Sequence, residues 1–582
     1  MRAHSLILLL LVAAAVRLPG FLWGLPGPTH LFSYHPDEFH SLRGLLSLTQ
    51  GDLNPHFFNY GCLYLYGVAA VGTLIHPSLV VGHLSPATNP AYLPLALRVW
   101  TVDARLVSLL AGLASVLVVA SAAQALGANG LWAGLTLAFM PLHALHCRYA
   151  TVDVTLTLFV ALAVWATVRG KVLGAARARL YVWAGVFAGL AASTKYTGAV
   201  ALLVPLAALV LDGSLGNTRR RLGLSFACAG AALLAFALTS PYVFLGWSEA
   251  SRDIFFEMQH MRAGEYPARA AEPSGLWFHA KWLTLGTAGL APLGLVALLV
   301  AAAATRGSRA HWFPAVLLAV VILVMISSTG VRYARYEMPL LPLAALGIGW
   351  LAGSKRSRPD GADADEAVQD TLPASERLEL PAQPVNAARR AALGLALALL
   401  VAAAVHCLWL CLRLRAPDSR DVALRELVRR AEPSETVGVI WEPWFQGPPL
   451  DYCNGGQALR RNPFWRQFSR PVRPLVVVGY DVRVLYRERP DWFALSEVEE
   501  RDFRRVGASP ELWQALDAAY EPVGAWGKRP SEGLVPPSLN PPQDWLYPTM
   551  PIAVLRARAA ANNAPRPTAP AQDSPPAPDM EG

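Results

Sequence analysis

The sequence predicts an all-α membrane protein with many transmembrane helices and a small α/β domain near its C-terminal end. Of its 582 residues, 54% are hydrophobic and 16% are charged, whereas globular proteins contain about 25% charged residues. Its apolar runs reach the roughly 20 residues that a helix needs to cross a bilayer, as in "SLILLLLVAAAVRLPGFLWGL" at 5–25. Runs of this length exceed a barrel strand, so we expect helices that satisfy their own backbone groups in lipid.

About eleven apolar runs are predicted to be transmembrane helices. No small-residue cleavage site follows the first run, so we interpret it as an uncleaved helix rather than a signal peptide. The eleven runs lie near 4–24, 102–124, 130–147, 153–168, 180–194, 197–211, 222–241, 281–304, 312–329, 338–352 and 391–413.

The basic residues between these runs support the number of crossings. If the N-terminus is cytoplasmic, the loops that hold most of the Lys and Arg face the cytoplasm, as the positive-inside rule requires. These loops are 169–179, 212–221, 305–311 and 353–390. The run at 61–84 is also apolar, but a crossing there would turn the basic loops outward. We therefore predict that it lies in the outer membrane interface, within a first outer loop that extends from about 25 to 100.

The chain is predicted to divide after a membrane core at 1–352. The segment 353–390 is polar, Pro-rich and without periodicity, which favours a disordered cytoplasmic linker before the last transmembrane helix at 391–413. Within 414–557, "ETVGVIWEPW", "RPLVVVGYDV" and "YPTMPIAVLRA" are typical of strands and "DSRDVALRELVRRAEP" has helical spacing. We predict an extracytoplasmic α/β domain there, followed by a disordered tail at 558–582.

Acidic residues occur at two points that this topology places on the outer side. Asp37 and Glu38 follow the first apolar run in "HPDEF", and Asp153 opens the fourth run in "RYATVDVTL". An acid at membrane depth is costly unless it is solvated or paired. We expect a water-filled cavity in which these acids take part in proton transfer. The alternatives are a solvated acidic loop and, for Asp153, a helix N-cap.

Basic residues are predicted on the same side of the membrane. Lys195 and Tyr196 lie in "STKYTG", and Arg332 and Arg335 lie in "VRYARYEM". Lys and Arg are the usual partners of phosphate. The pattern therefore indicates a lipid-phosphate substrate whose anionic head is bound while a carboxylate acts next to it. The alternative is that these long side chains snorkel to the interface.

Taken in order, the motifs resemble the dolichyl-phosphate-mannose–protein mannosyltransferase family, a branch of the C-type glycosyltransferase superfamily that includes bacterial aminoarabinose transferases of lipid A. The resemblance covers roughly 1–352. It is carried by "HPDEF", "GDLNPHFFNYGCLYLY", "DARLVSLLAGLASVLVV", "HCRYATVDVTLTLF", "STKYTG" and "RYARYEMPLLPLAAL". It implies the C-type glycosyltransferase fold and transfer of a sugar from a polyprenyl-phosphate donor to an extracytoplasmic acceptor, usually with inversion.

The resemblance also implies roles for individual residues. Asp37 matches the acid that acts as general base on the acceptor, and Glu38 matches its neighbour. Asp153 matches an acid that orients the acceptor or supports the site. The residues implied in substrate binding are Arg148, Tyr149, Lys195, Tyr196, Arg332 and Arg335. A lipid phosphate leaves as a stable anion, so the reaction needs a base and cations but no strong general acid.

No cofactor is expected. The spacing of His35, Asp37, Glu38 and His40 permits a divalent metal ion, although the resemblance implies that none is needed. The six cysteines have no metal-binding spacing, and we predict no disulfide. The formal charge of +9 falls largely in short loops between apolar runs, so it does not indicate nucleic-acid binding. The expected partners are the lipid bilayer, the donor and the acceptor.

Two other classes of protein were weighed. A secondary transporter or lipid flippase would show internal repeats and broken helices at matched positions, and the sequence shows neither. A membrane scaffold would explain the outer domain but not the paired acids. The Ala-, Arg- and Leu-rich composition favours a bacterial inner membrane, with the active site and C-terminal domain on its outer face. The acceptor stays open among protein, lipid A, another glycolipid and a polymer.

Overall fold

The computed structural model describes residues 3–173, 178–211, 215, 217–263, 274–304, 309–353, 387–505, 509–527 and 542–558. Helices dominate these residues, and a five-stranded sheet lies near the C-terminal end. The prediction of a mainly helical protein with a small α/β region near its C-terminal end is confirmed. Most of the predicted linker at 353–390 and nearly all of the predicted tail at 558–582 lie outside the described residues.

Eighteen α-helices precede the C-terminal region in the described chain. The first nine are α1 Ala3–Ala15, α2 Arg43–Thr49, α3 Leu63–Ile75, α4 Pro77–Val80, α5 Leu93–Ala125, α6 Gly130–Phe139, α7 Pro141–His146, α8 Val152–Leu173 and α9 Arg179–Thr194. The next nine are α10 Leu203–Leu211, α11 Thr218–Thr239, α12 Pro241–Leu245, α13 Trp247–Ala263, α14 Gly275–Leu285, α15 Leu290–Ala304, α16 Arg309–Ser327, α17 Leu341–Ala352 and α18 Ala387–Arg413. Each of the eleven predicted runs coincides with a helix or a pair of helices.

Four helical segments of the described chain are long and apolar enough to cross a membrane, which makes the chain an integral membrane protein. They are Pro90–Ala125, α8, α11 and α18. Helices α14 and α15 meet the same criterion as a pair bent by 106°. The other apolar helices are shorter, so the number of eleven crossings stays a prediction. At the bend, Ala288 and Gly289 take positive φ angles of 51° and 80°, which end the helical path.

The first predicted helix is shorter than its apolar run. The run extends to Gly24, but α1 ends at Ala15. Pro19 follows shortly and disfavours helix in the residue before it. Gly20 then adopts φ +80°, and a Cβ at this position would lie 2.3 Å from Cβ of Leu414. The chain therefore turns here and packs closely against the end of α18.

Close helix packing fixes the two helix ends that carry site residues. Helix α9 packs against both α8 and α11. Gly185 and Gly189 of α9 face the backbone of α11, and a Cβ at either glycine would lie about 2 Å from the carbonyl oxygen of Cys228 or Ala232. Such close approach is typical of small residues at membrane helix interfaces. The C-terminal end of α9 is thereby held beside the N-terminal end of α8.

The C-terminal region contains helices and a mixed sheet. Its helices are α19 Ser419–Arg430, α20 Gly456–Arg461, α21 Pro463–Arg466, α22 Val482–Glu488, α23 Glu497–Arg505, α24 Pro510–Ala519 and α25 Gln543–Leu546. Its strands are β1 Val437–Val439, β2 Leu475–Val477, β3 Trp492–Ser496, β4 Tyr520–Trp526 and β5 Ile552–Ala557. The strand order is β2-β1-β3-β5-β4. Strand β1 is parallel to β2 and β3, whereas β5 is antiparallel to β3 and β4.

This region packs onto the first predicted outer loop. Trp23 donates its indole N–H to Asp418 at 2.9 Å, and the Tyr34 hydroxyl donates to Asp421 at 2.6 Å. The backbone N–H of Leu31 donates to the carbonyl oxygen of Tyr452 at 2.8 Å. Segments 387 and 395 residues apart in sequence are thus joined by hydrogen bonds.

Candidate active site

Asp37 lies in the turn that follows the first apolar run. Its side chain is 23% exposed, and its Oδ2 lies 2.9 Å from Nη2 of Arg335. The backbone N–H of Asp37 donates to Nδ1 of His35 at 3.2 Å. Asp37 is therefore reachable from solvent while one side of its carboxylate is neutralised.

Asp153 lies in the first turn of α8 and is almost fully buried. Its Oδ1 accepts a hydrogen bond from Nζ of Lys195 at 3.0 Å, and its Oδ2 lies 3.8 Å from Nε of Arg335. The same guanidinium therefore reaches both Asp37 and Asp153. Two acids that are far apart in sequence meet around one arginine.

Lys195 and Arg335 are held over aromatic rings. Nζ of Lys195 lies 4.6 Å from the centre of the Tyr336 ring, and the guanidinium of Arg335 lies 4.1 Å from that of Tyr333. Lys195 follows the last residue of α9 in an extended conformation. Ring faces attract cations, so two cations and two carboxylates form a fixed, charge-balanced cluster.

Glu38, the neighbour of Asp37, is fully buried and paired elsewhere. Its two oxygens accept hydrogen bonds from Nε and Nη2 of Arg105 at 2.7 and 2.8 Å, and the backbone N–H of Ala150 adds a third at 2.9 Å. Burial alone raises the pKa of Glu38, but the Arg105 guanidinium outweighs burial and holds the pKa below its ordinary value. Glu38 is thus an ionised group that anchors the acidic loop to α5.

The other four predicted substrate-binding residues have different surroundings. Arg148 is buried and donates to the carbonyl oxygens of Pro19 and Ala144, and its Nη2 lies 3.1 Å from Sγ of Cys411. Tyr149 packs its ring 4.5 Å from that of His35, Tyr196 donates its hydroxyl to the carbonyl oxygen of Phe58 at 3.0 Å, and Arg332 is buried three residues before Arg335.

The two histidines considered as metal ligands have separate surroundings. The ring of His35 lies between those of Tyr149 and Tyr547, whereas His40 stacks on Phe57 at 4.9 Å. Burial holds the pKa of His35 well below its ordinary value and lowers that of His40 to about 4. Within the described ranges, no three His, Cys, Asp or Glu side chains lie close enough to hold a metal ion. All six cysteines are buried, and the structure contains no disulfide between them.

A groove lies beside the charged cluster. Asp153, Lys195 and Arg335 are its charged lining residues. Its walls are apolar and come from α8, from the segment after Lys195 and from α16, with Leu156, Val160, Val200, Ile322, Met325 and Ile326 as the main side chains. The groove thus joins two cations and a carboxylate to a mainly apolar surface.

Two residues of this arrangement were missed by the sequence analysis. Arg105 lies inside an apolar run, and a buried charge in such a run is itself a sign of a specific partner. Asp544 comes from the C-terminal region and accepts the backbone N–H of Arg335 at 2.9 Å. No local pattern distinguishes Asp544 from an ordinary loop acid, so only the folded chain reveals it.

Comparison with protein families gives one match. Residues 96–247 match the family described as dolichyl-phosphate-mannose-protein mannosyltransferase. The matched segment contains Arg105, Asp153 and Lys195 and lies between Asp37 and Arg335. It confirms the resemblance inferred from the motifs, and with it the prediction that the chain is a glycosyltransferase. No curated protein matches the sequence.

Three solved structures illustrate what this chain is similar to. ArnT from Cupriavidus metallidurans bound to undecaprenyl phosphate is 16% identical, with 95% of this chain and 98% of that chain covered and a TM-score of 0.46. The Archaeoglobus fulgidus oligosaccharyltransferase is 12% identical, with 94% and 77% covered and a TM-score of 0.44. The S. cerevisiae protein O-mannosyltransferase Pmt1–Pmt2 complex bound to the sugar donor is 19% identical, with 43% and 35% covered and a TM-score of 0.32. These scores are low, so the architecture above rests on this chain's own helices and sheet.

Proposed function

Because residues 96–247 match the dolichyl-phosphate-mannose-protein mannosyltransferase family, we propose that this chain transfers a sugar from a polyprenyl-phosphate donor to an acceptor outside the cytoplasm. The observation that carries the proposal is the apolar groove that ends at Lys195 and Arg335. A polyprenyl chain lies along the groove between α8 and α16, and the donor phosphate binds between the two cations.

The donor phosphate takes the place of a carboxylate at Arg335. Arg335 is paired with Asp37 at 2.9 Å, and Lys195 is paired with Asp153 at 3.0 Å. An arginine fork can bind phosphate through two parallel hydrogen bonds, so the phosphate competes with Asp37 for Arg335. Binding of the donor therefore releases Asp37 close to the sugar. Lys195 stays oriented by Asp153, which supports the site rather than contacting the acceptor.

Asp37 then acts as general base on the acceptor. It accepts the proton of an acceptor hydroxyl or amine while the acceptor oxygen or nitrogen forms a bond to the anomeric carbon of the sugar. The bond between that carbon and the phosphate oxygen breaks, and polyprenyl phosphate leaves with the electron pair. Lys195 and Arg335 stabilise the charge on the departing phosphate. A single displacement of this kind inverts the anomeric configuration.

Glu38 has a positioning role: it holds the loop that carries Asp37. Its bonds to Arg105 and to the backbone of Ala150 fix the residue next to Asp37 and so hold Asp37 beside Arg335. We place this site on the extracytoplasmic face of a bacterial inner membrane, because that orientation puts the basic loops in the cytoplasm.

Sugar transfer in liposomes tests the proposal. The purified protein is reconstituted with polyprenyl-phosphate sugars and a cell-envelope extract as acceptor, and release of polyprenyl phosphate is measured. We expect Asp37→Asn to abolish release while the protein remains folded. The matched control is Asp481→Asn, since Asp481 is an exposed aspartate paired with Arg483 in the C-terminal region. Full activity of Asp37→Asn would exclude Asp37 as the base, and a loss shared by both variants would point to a general defect.

Binding of the lipid is measured separately. Undecaprenyl phosphate, which carries the phosphate and the chain but no sugar, is titrated into the protein in detergent. Binding that survives Arg335→Met and Lys195→Met together would contradict the phosphate site at the end of the groove.

A further inference from the structure

A segment of the C-terminal region contacts the helix that carries Arg335. This helix is a 3-10 helix at Ala334–Leu340, and the segment consists of α25 and the turn that follows it. Oδ2 of Asp544 accepts the backbone N–H of Arg335 at 2.9 Å across 209 residues of sequence. The Tyr333 hydroxyl donates to Oε1 of Gln543 at 3.3 Å. Asp544 itself is almost completely buried.

The helix has no cap of its own. Its N-cap residue, Tyr333, is extended and makes no side-chain capping hydrogen bond. The first N–H groups of a helix have no partner within the helix. The Asp544 carboxylate accepts one of these groups, the backbone N–H of Arg335 in the first turn of the helix. Asp544 thus acts as an N-cap supplied by a distant part of the chain.

Asp544 is itself fixed by the C-terminal region. Three residues later, the carbonyl oxygen of Tyr547 accepts Nη2 of Arg420 at 2.7 Å, and Arg420 is paired with Asp418 at 2.8 Å. The Tyr547 ring lies 4.8 Å from that of His35, two residues before Asp37. The capping segment is therefore anchored to the domain on one side and lies against the acidic loop on the other.

We propose that Asp544 is a positioning residue for the transfer reaction: by capping the helix of Arg335 it aims the guanidinium at the donor phosphate, so the extracytoplasmic domain completes the active site. This rests on the proposed role of Arg335 in donor binding. Asp544 acts through the backbone of Arg335, whose N–H it accepts. Without its carboxylate, this buried N–H loses its partner and the start of the helix is held less firmly.

The variants Asp544→Ala and Asp544→Asn test this role. Alanine removes the acceptor, and we expect the KM for the donor to rise about tenfold with the KM for the acceptor unchanged. Asparagine keeps a carbonyl oxygen in place, so it should rescue most of the loss. The matched control is Asp491→Ala, which removes an aspartate that accepts the backbone N–H of Thr436 at 2.8 Å within the same domain. It should lower the unfolding temperature and leave the KM for the donor unchanged.

A double variant separates positioning from a general effect on the fold. If Asp544 acts through Arg335, Arg335→Ala combined with Asp544→Ala should have the same KM for the donor as Arg335→Ala alone. An additional loss in the double variant, or a rise in the donor KM with Asp491→Ala, would overturn the inference.

The experiment also distinguishes this inference from the proposed function. If Arg335→Ala leaves binding of undecaprenyl phosphate unchanged, the proposed phosphate site is wrong. If Arg335→Ala weakens binding while Asp544→Ala behaves as the unsubstituted protein, only the role of Asp544 is overturned.

Discussion

Arg335 lies 2.9 Å from Asp37, and this ion pair joins the first outer loop to the segment that precedes α17. In this pair, the candidate base Asp37 is in direct contact with the candidate phosphate ligand Arg335. In the proposed mechanism, donor binding and activation of the acceptor are therefore coupled, because both processes depend on the same guanidinium.

Replacement of Arg335 should weaken donor binding. A charge-assisted hydrogen bond contributes about 1.5–3 kcal/mol, so Arg335→Met should weaken binding of undecaprenyl phosphate by about ten- to a hundredfold. Arg335→Lys should recover only part of the affinity, because an ammonium lacks the planar fork. Isothermal titration calorimetry measures the affinity of both variants for undecaprenyl phosphate. Arg483→Met, at an exposed arginine paired with Asp481, is the control, and a similar loss there would contradict a specific role.

Replacing Arg105 alone should destabilise the protein more than replacing Glu38 and Arg105 together. Arg105→Met leaves the Glu38 carboxylate buried and unpaired, and breaking a buried pair in this way costs about 3–5 kcal/mol. The double variant with Glu38→Leu removes both charges and should regain most of that stability. The unfolding temperatures of the unsubstituted protein, Arg105→Met and the double variant rank their stabilities. A double variant less stable than Arg105→Met would contradict the view that pairing, rather than packing, governs this contact.

Filling the groove should reduce lipid binding without unfolding the protein. Val200 lines the groove, and Val200→Trp places a large ring where we expect the polyprenyl chain. We expect about tenfold weaker binding of undecaprenyl phosphate, as overpacking costs about 1–3 kcal/mol. Val210→Trp is the matched control, because Val210 is 69% exposed on the outer surface of α10. Equal binding by the two variants would show that the chain lies elsewhere.

The contact between His56 and two carboxylates should make the first outer loop sensitive to pH. The ring nitrogens of His56 lie 2.8 Å from Asp52 and 3.0 Å from Glu249 of α13. The hydrogen bond to Asp52 raises the pKa of His56, whereas the backbone N–H of Asn54 and then His56 lower that of Asp52. The histidine contribution is complete below the ordinary histidine pKa and is lost as pH rises through the raised value. The aspartate contribution is lost as pH falls through the lowered value.

Thermal unfolding of His56→Gln measures this dependence. The difference from the unsubstituted protein should be largest near pH 5.5, a value that lies between the ordinary pKa values of Asp and His, and should shrink toward about pH 8. His83→Gln, at an exposed histidine of the same loop, provides the comparison. A difference that grows with pH would reverse the sign and refute the assignment.

Much of the membrane core was predictable because lipid imposes a simple rule on sequence. Each apolar run that we assigned coincides with helical residues, since backbone groups in lipid must pair within their own segment. The exact ends were less predictable. The run after Ala15 is as apolar as a helix, yet Pro19, Gly20 and the close contact with Leu414 turn the chain. Tertiary packing decided this end.

The candidate site was predictable in its residue types and less so in its partners. An acid at the start of α8 and an arginine before α17 were visible as charges at the edges of apolar runs. The partner of Glu38 was not, because Arg105 becomes its neighbour only when α5 packs beside the loop. Arg148 shows the reverse case: its position before Asp153 indicated the site, but backbone carbonyls of Pro19 and Ala144 bind it.

The hydrogen bond between Trp23 and Asp418 spans 395 residues, and it bears on how the enzyme is made. A ribosome delivers Asp37 early and the capping segment near Asp544 almost last. The acidic loop is thus made long before Asp544. If these residues act as proposed, a polypeptide that stops before Asp544 lacks the cap on the Arg335 helix and should bind the donor more weakly.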